Sequence, residues 1–315
     1  MTDRVDRLHD DILAGPMALA RLLDAYGASG SPLARAMPAL HGRDRFAFSG
    51  LGSSRYAASI AATVLRADGS SAWAEYASTG APTSPAEDLV LVAVSASGHT
   101  PEVVAAARRH RGISLVVAIT NDVDSALASE ADHVLPLHAG VEASGIATRT
   151  FRGSVAVLAM LSGRTPASLT PTVADLAVVI ERSGRWLPAM ADALDGAAAI
   201  DVLADAAILG MADQAALMLR EAPRLSASAH DTGDWLHTAV YLAIPGHRAL
   251  LFQGAVADVE VIDTIERRGG MVLTVPGSPV DADPFRRVIV DSVCAELLAV
   301  ELWRRTSAIS PERPL

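Results

Sequence analysis

Apolar runs and helical-period stretches alternate along the first half of the chain. Leu89–Val94 is unbroken and apolar, bounded by small polar residues, the pattern of a strand buried on both faces. Arg45–Ser49, Ser71–Tyr76, Ser114–Thr120 and His133–Leu137 read as further short strands. Between them lie an Ala-rich helix to about Leu65, a helix from Pro101, a short helix over 126–131, and one from about Thr148 to Leu161. Ahead of the first strand, residues 8–26 predict an amphipathic helix with Ile12, Leu19, Leu22 and Leu23 apolar and Pro16 as a kink or break. Ser29–Pro32 reads as a turn. Strands alternating with helices imply a parallel sheet covered on both faces.

Residues 162–172 carry Ser, Gly, Thr and Pro and read as a boundary. A long helix over 173–195 then leads to a second alternating block. Strands are expected at Ala206–Leu209, Leu250–Phe252, Met271–Val275 and Arg287–Val290. Helices are expected at Ala212–Glu221, Val256–Arg268 (stopped by Gly269-Gly270) and Ser292–Arg305. The pattern predicts an α/β fold of two related units, with an N-terminal helical segment over 1–40. The first unit spans 41–165, a linker 166–195, the second unit 196–306 and a tail 307–315. The halves read as a divergent repeat. The turn expected after the second half's first strand, Gly210–Asp213, has no serine-rich counterpart.

Composition narrows the chemistry. Half the residues are apolar and 20% are charged, enough for a large core. The net charge of −10 argues against a nucleic-acid partner, which needs a basic face. All 26 basic residues are arginine, so Schiff-base and lysine acid–base chemistry are absent. The single cysteine, Cys294, excludes an internal disulfide and a multi-Cys metal site, and its apolar setting reads as a buried structural thiol. No His or carboxylate cluster has metal-ligand spacing, so no metal is expected. The N-terminus lacks a signal h-region, and Asp201, Asp205 and Asp213 interrupt the most apolar stretch, 197–219. A cytoplasmic protein with no membrane partner is expected.

The chemistry-bearing stretch follows Val94. Ser95, Ser97, Gly98 and Thr100 feed a helix with Thr100 as N-cap, Pro101 in its first position and Glu102 in its first turn. Hydroxyls, outward backbone N–H groups and a helix dipole together form an anion cradle. No Lys or Arg lies in this loop, so dipoles and hydroxyls would hold the anion. Gly50-Leu51-Gly52-Ser53-Ser54 is a second such loop, and both fall at carboxyl ends of strands, where ligands of open parallel sheets sit. The 50–54 loop lacks the third glycine of a dinucleotide fingerprint.

Three elements, Ser-Gly-Leu-Gly-Ser-Ser at 49–54, Ser-Ala-Ser-Gly-His-Thr-Pro-Glu at 95–102 and Ala-Gly-Val-Glu-Ala-Ser-Gly-Ile-Ala-Thr-Arg-Thr-Phe at 139–151, resemble the sugar-isomerase (SIS) domain family. Ala-Leu-Met-Leu-Arg-Glu at 216–221 and Asp-Thr-Gly-Asp-Trp-Leu-His at 231–237 are similar to its double-SIS members. These include the isomerase half of glucosamine-6-phosphate synthase and stand-alone phosphosugar isomerases, deaminases and deglycases. The resemblance covers about residues 8–305. It implies two flavodoxin-like three-layer αβα domains, each a parallel sheet flanked by helices.

By that resemblance Ser54, Ser95, Ser97 and Thr100 hold a phosphate, with Ser53 adjacent. Glu221 is the proton shuttle between neighbouring carbons. His237 is the ring-opening acid–base, reaching the sugar of a neighbouring subunit in a homodimer. Ala96, Gly98, His99, Glu142, Arg149 and His230 are further candidate substrate contacts. Without the resemblance, Glu221 reads as a solvated charge at a helix end, and His237 as a loop histidine. Arg220 and Arg224 flank Glu221 as ion-pair candidates. His99 stands where the family often has Glu; it reads either as added positive charge or as a solvent-facing side chain. Arg149 stands in place of a family lysine.

The chain departs from the synthase pattern at its end, Ile-Ser-Pro-Glu-Arg-Pro-Leu, which lacks the ring-opening lysine, and at Met218, where that pattern has another lysine. The implied function is isomerisation, deamination or deglycation of a phosphorylated sugar or amino sugar. No cofactor is needed, because the carbonyl or imine is the electron sink. The alternative is a non-catalytic phosphosugar-binding regulator.

Overall fold

The computed structural model describes residues 2–309, with side chains from 3 to 306. In chain order the elements are α1 (Thr2–Leu13), α2 (Gly15–Gly27), α3 (Pro32–Leu40), β1 (Arg45–Gly50), α4 (Ser53–Ala67), β2 (Ser71–Tyr76), β3 (Leu89–Val94), α5 (Pro101–His110), β4 (Leu115–Thr120), β5 (His133–Pro136) and α6 (Arg149–Leu161). There follow α7 (Pro166–Leu169), α8 (Pro171–Glu181), α9 (Leu187–Leu194), β6 (Ile200–Ala204), α10 (Leu209–Glu221), β7 (Ala227–Asp231), α11 (Thr232–Thr238), β8 (Arg248–Phe252), α12 (Asp258–Arg267), β9 (Met271–Thr274) and α13 (Pro284–Ile309).

Two compact units emerge. The first comprises residues 16–141 and 149–173; the second comprises 2–15, 142–148 and 174–309 of the described chain. The first unit holds a five-stranded parallel sheet in the order β2-β1-β3-β4-β5. Every residue of β3 is buried, as its unbroken apolar run requires. Val103, Val104 and Ala107 of α5 pack on Leu89, Leu91, Ala93 and Val116. α6 is buried almost all round, which places it among layers rather than on the surface.

The second unit holds a four-stranded parallel sheet, β7-β6-β8-β9. Trp235 of α11 and Val261 and Ile265 of α12 pack against Leu203, Ala249 and Leu251 on one face. Both sheets place their first strand second in the order, with the chain running outward on either side. The ends of the first and third strands therefore border a crevice at the reversal point.

Several expected elements lie elsewhere. Arg287–Val290 is not a strand but the opening of α13, where Asp283 Oδ1 accepts the N–H groups of Phe285 at 3.0 Å and Arg286 at 3.3 Å. A three-residue apolar run, Val288–Val290, fits either period; here it continues buried through Val300, at helix length. The strand expected at Ala206–Leu209 is β6, six residues earlier. Asp201 reads as a polar interruption, yet it is 5% exposed because Trp235 Nε1 donates to it at 2.8 Å. Asp205 instead caps the next turn, accepting the Ala207 N–H at 2.8 Å, so Gly210–Asp213 lies within α10 rather than in a turn. The 173–195 helix is broken between α8 and α9, at Gly184 and ahead of Pro188. The turn expected at Ser29–Pro32 is present and leads into α3, with Ser31 Oγ accepting the Ala34 N–H at 3.3 Å. Ala128–Glu130 is only a single 3₁₀ turn. From residue 310 on, the expected tail lies outside the described residues.

Candidate functional site

The crevice of the first sheet lies between the ends of β1 and β3, and the two serine-rich loops meet there. After β1 the chain turns at Gly52, whose φ of +52° favours glycine, and enters α4 at Ser53 with no side-chain cap. Gly50 has no room for a side chain, since a Cβ would stand 3.0 Å from the Arg55 backbone nitrogen. Ser53 and Ser54 are half-buried in the first turn of α4. Uncapped N–H groups and two hydroxyls at a helix N-terminus are the kind of donors a small anion takes.

The loop after β3 is built from within. Ser95 is 3% exposed; its Oγ accepts the Gly98 N–H at 3.1 Å and lies 3.0 Å from Thr100 Oγ1. Gly98 turns at φ +68°, and a Cβ there would fall 2.0 Å from Ser125 Oγ. Its carbonyl accepts the Leu127 N–H, while the Ala96 carbonyl accepts the Asn121 N–H at 2.9 Å. Thr100 is the N-cap residue of α5 as expected, but its side chain makes no cap bond and is engaged with Ser95 instead. The first turn of α5 is therefore left without a side-chain cap. Ser97 is exposed, and its Oγ accepts the His99 N–H at 3.2 Å. Ser95 is thus the frame of the cradle, and Ser97 and the α5 N-terminus are its open face.

His99 Nε2 lies 3.2 Å from Asp122 Oδ2, both well exposed, an ion pair worth little. Sequence reasoning missed Arg55, one residue beyond the loop. Its guanidinium stacks 3.9 Å from the centre of the Tyr76 ring, and its Nε is buried without a hydrogen-bond partner. A cation immediately after a hydroxyl loop was the available signal. Arg149, at the start of α6, donates to the Val141 carbonyl.

The remaining candidates belong to the second unit. Glu142 Oε1 accepts the Thr148 N–H at 2.6 Å and lies 3.0 Å from Thr148 Oγ1, closing the 142–148 segment on itself. Glu221 ends α10 and keeps contact with water. Loss of hydration raises its carboxyl above the usual glutamate range, and Arg4 and Arg220 only partly oppose this. Arg220 donates to the Ala227 carbonyl at 2.7 Å, not to Glu221. Among the described residues Glu221 has no hydrogen-bond partner, so its carboxyl is free to take or give a proton.

His237 is exposed in the last turn of α11; the segment expected as a loop is β7 followed by this short helix. Asp231 is the α11 N-cap, accepting the Asp234 N–H at 2.9 Å. His230 sits on β7 with its Nε2 3.5 Å from Asp201 Oδ1; His247 Nε2 is 3.3 Å from Oδ2 of the same carboxylate. Burial alone would raise Asp201, but the nearby His230 and His247 rings and the Trp235 N–H donor outweigh it and hold the group below the usual range. Cys294 is buried with Sγ 2.9 Å from the Pro276 carbonyl, a structural thiol as expected. Among the described residues no group of His, Cys, Asp or Glu is placed to hold a metal ion, and no helix is long and apolar enough to cross a membrane.

Residues 39–162 match the SIS domain model, and these residues contain the whole five-stranded sheet. The chain is 31% identical over 214 residues to a glutamine–fructose-6-phosphate aminotransferase (isomerizing) of Aeropyrum pernix, a match covering 62% of this chain and 35% of the relative. It spans about a third of the length of the curated relatives it matches. In fold it is similar to the C-terminal domain of glucosamine-fructose-6-phosphate aminotransferase from Francisella tularensis. That match has a TM-score of 0.83 at 17% identity and covers 96% of each chain. A candidate phosphosugar isomerase from Silicibacter pomeroyi gives a TM-score of 0.77 at 25% identity, covering 97% of this chain and 98% of the other.

Proposed function

We propose that this chain is a two-SIS-domain enzyme acting on a phosphorylated sugar or amino sugar, by aldose–ketose isomerisation or by deamination or deglycation. The observation that carries the reading is the pair of hydroxyl loops at the crevice of the SIS-matching sheet, each leading into a helix without a side-chain cap. The second sheet, with the same strand order, supports a second domain of the same kind. Ser53, Ser54, Ser97 and the uncapped N–H groups of α4 and α5 hold the phosphate, with Ser95 and Thr100 framing the loop. Glu221 removes the proton next to the carbonyl or imine, giving an enediol or enolamine, and returns it to the neighbouring carbon. For deamination or deglycation, that carbon protonation converts the enolamine to an imine; water adds to the imine carbon, and the C–N bond of the resulting carbinolamine breaks to release the amine and leave the carbonyl. His237 opens the ring.

The free, raised carboxyl of Glu221 supports this assignment, since a shuttle works best with a proton affinity closer to neutrality. Tyr241, Leu242 and Ile244, exposed just beyond the helix carrying His237, support a homodimer in which that helix meets a second copy. Glu221→Gln tests the reading: turnover of hexose phosphates should fall by about a thousandfold or more, with substrate affinity kept. In the native chain the acid limb of kcat should lie above the usual glutamate range. Undiminished turnover in the Gln variant would remove Glu221 from the reaction. Binding without turnover in the native chain would favour a regulator.

A further inference from the structure

A cavity of about 520 Å³ opens in the second unit, lined by α8, the start of α9, the segment after β9 and the first turns of α13. Its volume is that of a small-molecule site. Val178, Val179, Val290 and Trp186 supply an apolar wall. Val178 is 38% exposed, more open than an aliphatic side chain packed in a core.

The same space is lined by Arg182, Arg185 and Arg286 against one acid, Asp175, which already pairs with Arg286 at 2.8 Å. Three arginines and one aspartate leave a formal surplus of two positive charges, in a chain whose net charge is −10. Arg286 still has one unmet demand: its Nε is buried without a hydrogen-bond partner. An apolar wall, local positive charge and an unsatisfied guanidinium N–H ask for one kind of occupant.

We propose that this cavity binds a small amphipathic anion. Its apolar body lies along Val178, Val179, Val290 and Trp186, and its phosphate or carboxylate group is held by Arg182, Arg185 and Arg286. Guanidinium forks suit such oxygens because they offer two parallel N–H groups to a planar or tetrahedral anion. The site draws on none of the serine-loop residues, so it stands independently of the phosphosugar reading.

The test uses the full chain and anilinonaphthalene sulfonate, an aromatic body carrying one anionic group, followed by fluorescence and calorimetry. Saturable binding of one equivalent is expected, weakening as salt rises. Arg182→Glu/Arg185→Glu, both at exposed positions, should lower affinity by about tenfold or more. Val178→Glu, which puts a carboxylate on the apolar wall, should do the same and serves if the double variant loses its melting transition. The thermal shift produced by hexose phosphate should be unchanged in both variants. Equal affinity of native and charge-reversed chains, or equally tight binding of uncharged phenylnaphthylamine by the native chain, would overturn the proposal.

Discussion

The two sheets share a strand order but finish their crevices in opposite ways. In the first, the loops after β1 and β3 present hydroxyls and leave the N-termini of α4 and α5 without side-chain caps. In the second, the corresponding loops are closed by the chain's own carboxylates. Asp205 caps the turn after β6, and Asp258 Oδ2 accepts the Gly254 and Ala255 N–H groups after β8, at 2.7 and 3.1 Å. Aspartate thus meets turn and loop N–H groups in the second sheet, although α10 and α12, like α4 and α5, begin without a side-chain cap. Topology creates the crevice twice; the residue at the loop decides whether it is open to an anion or filled from within.

The comparison can be broken most sharply at Gly98. An alanine there meets Ser125 and a left-handed backbone together, so Gly98→Ala should cost about 3 kcal/mol and abolish hexose-phosphate binding. Calorimetric melting and titration would show it, and an intact loop in that variant would mean that the cradle is not built as described.

The acidic end of the second sheet should report through pH. Burial raises Asp291 to about 6, and hydrogen bonds from Ser278 and the charge of Arg287 do not cancel the effect. The folded state keeps this proton to about pH 6 while the unfolded chain releases it near pH 4, so ionisation across that window costs stability. Native chain should therefore lose about 2 kcal/mol relative to Asp291→Asn between pH 4 and 6. Parallel melting curves for the two proteins would refute the shift.

Asp258→Ala removes the internal acceptor of two N–H groups and should cost about 2 kcal/mol. Inorganic phosphate should return part of it. If phosphate stabilises the variant no more than the native chain, Asp258 is not standing in for an anion. The smallest effects separate frame from face within the first loop. Ser95→Ala should cost about 1 kcal/mol by removing the buried hydroxyl that joins the Gly98 N–H to Thr100 Oγ1, whereas Ser97→Ala should leave stability within about 0.5 kcal/mol and weaken hexose-phosphate binding.

Much of this was legible in the sequence where a local signal had one meaning. β2 and β3 fall at their expected residues, and β1 and α6 within one, because apolar runs bounded by polar or Gly residues and capped Ala-rich stretches are unambiguous over that length. The serine loops were legible as hydroxyl- and glycine-rich turns at strand ends that lead into helices. Residues 200–209 and 284–290 were not, although the helix ending at Glu221 was. There, continuous apolar sequence fits either period, and the deciding contacts are distant: Trp235 with Asp201, 34 positions apart, makes a buried strand residue of what reads as a polar break.

By itself the sequence determined the α/β alternation, the first sheet's strands, the buried thiol and the two hydroxyl-rich loops at strand ends. All of these follow from neighbours a few positions apart. Only tertiary structure decided that Ser95 frames while Ser97 faces outward, that Thr100 leaves its helix uncapped, that Glu221 stands free of Arg220, and that the second crevice is filled by Asp258. Each of those depends on which hydrogen bonds a side chain makes once strands and loops are packed together. A linear pattern records the presence of a donor or acceptor; folding chooses its partner.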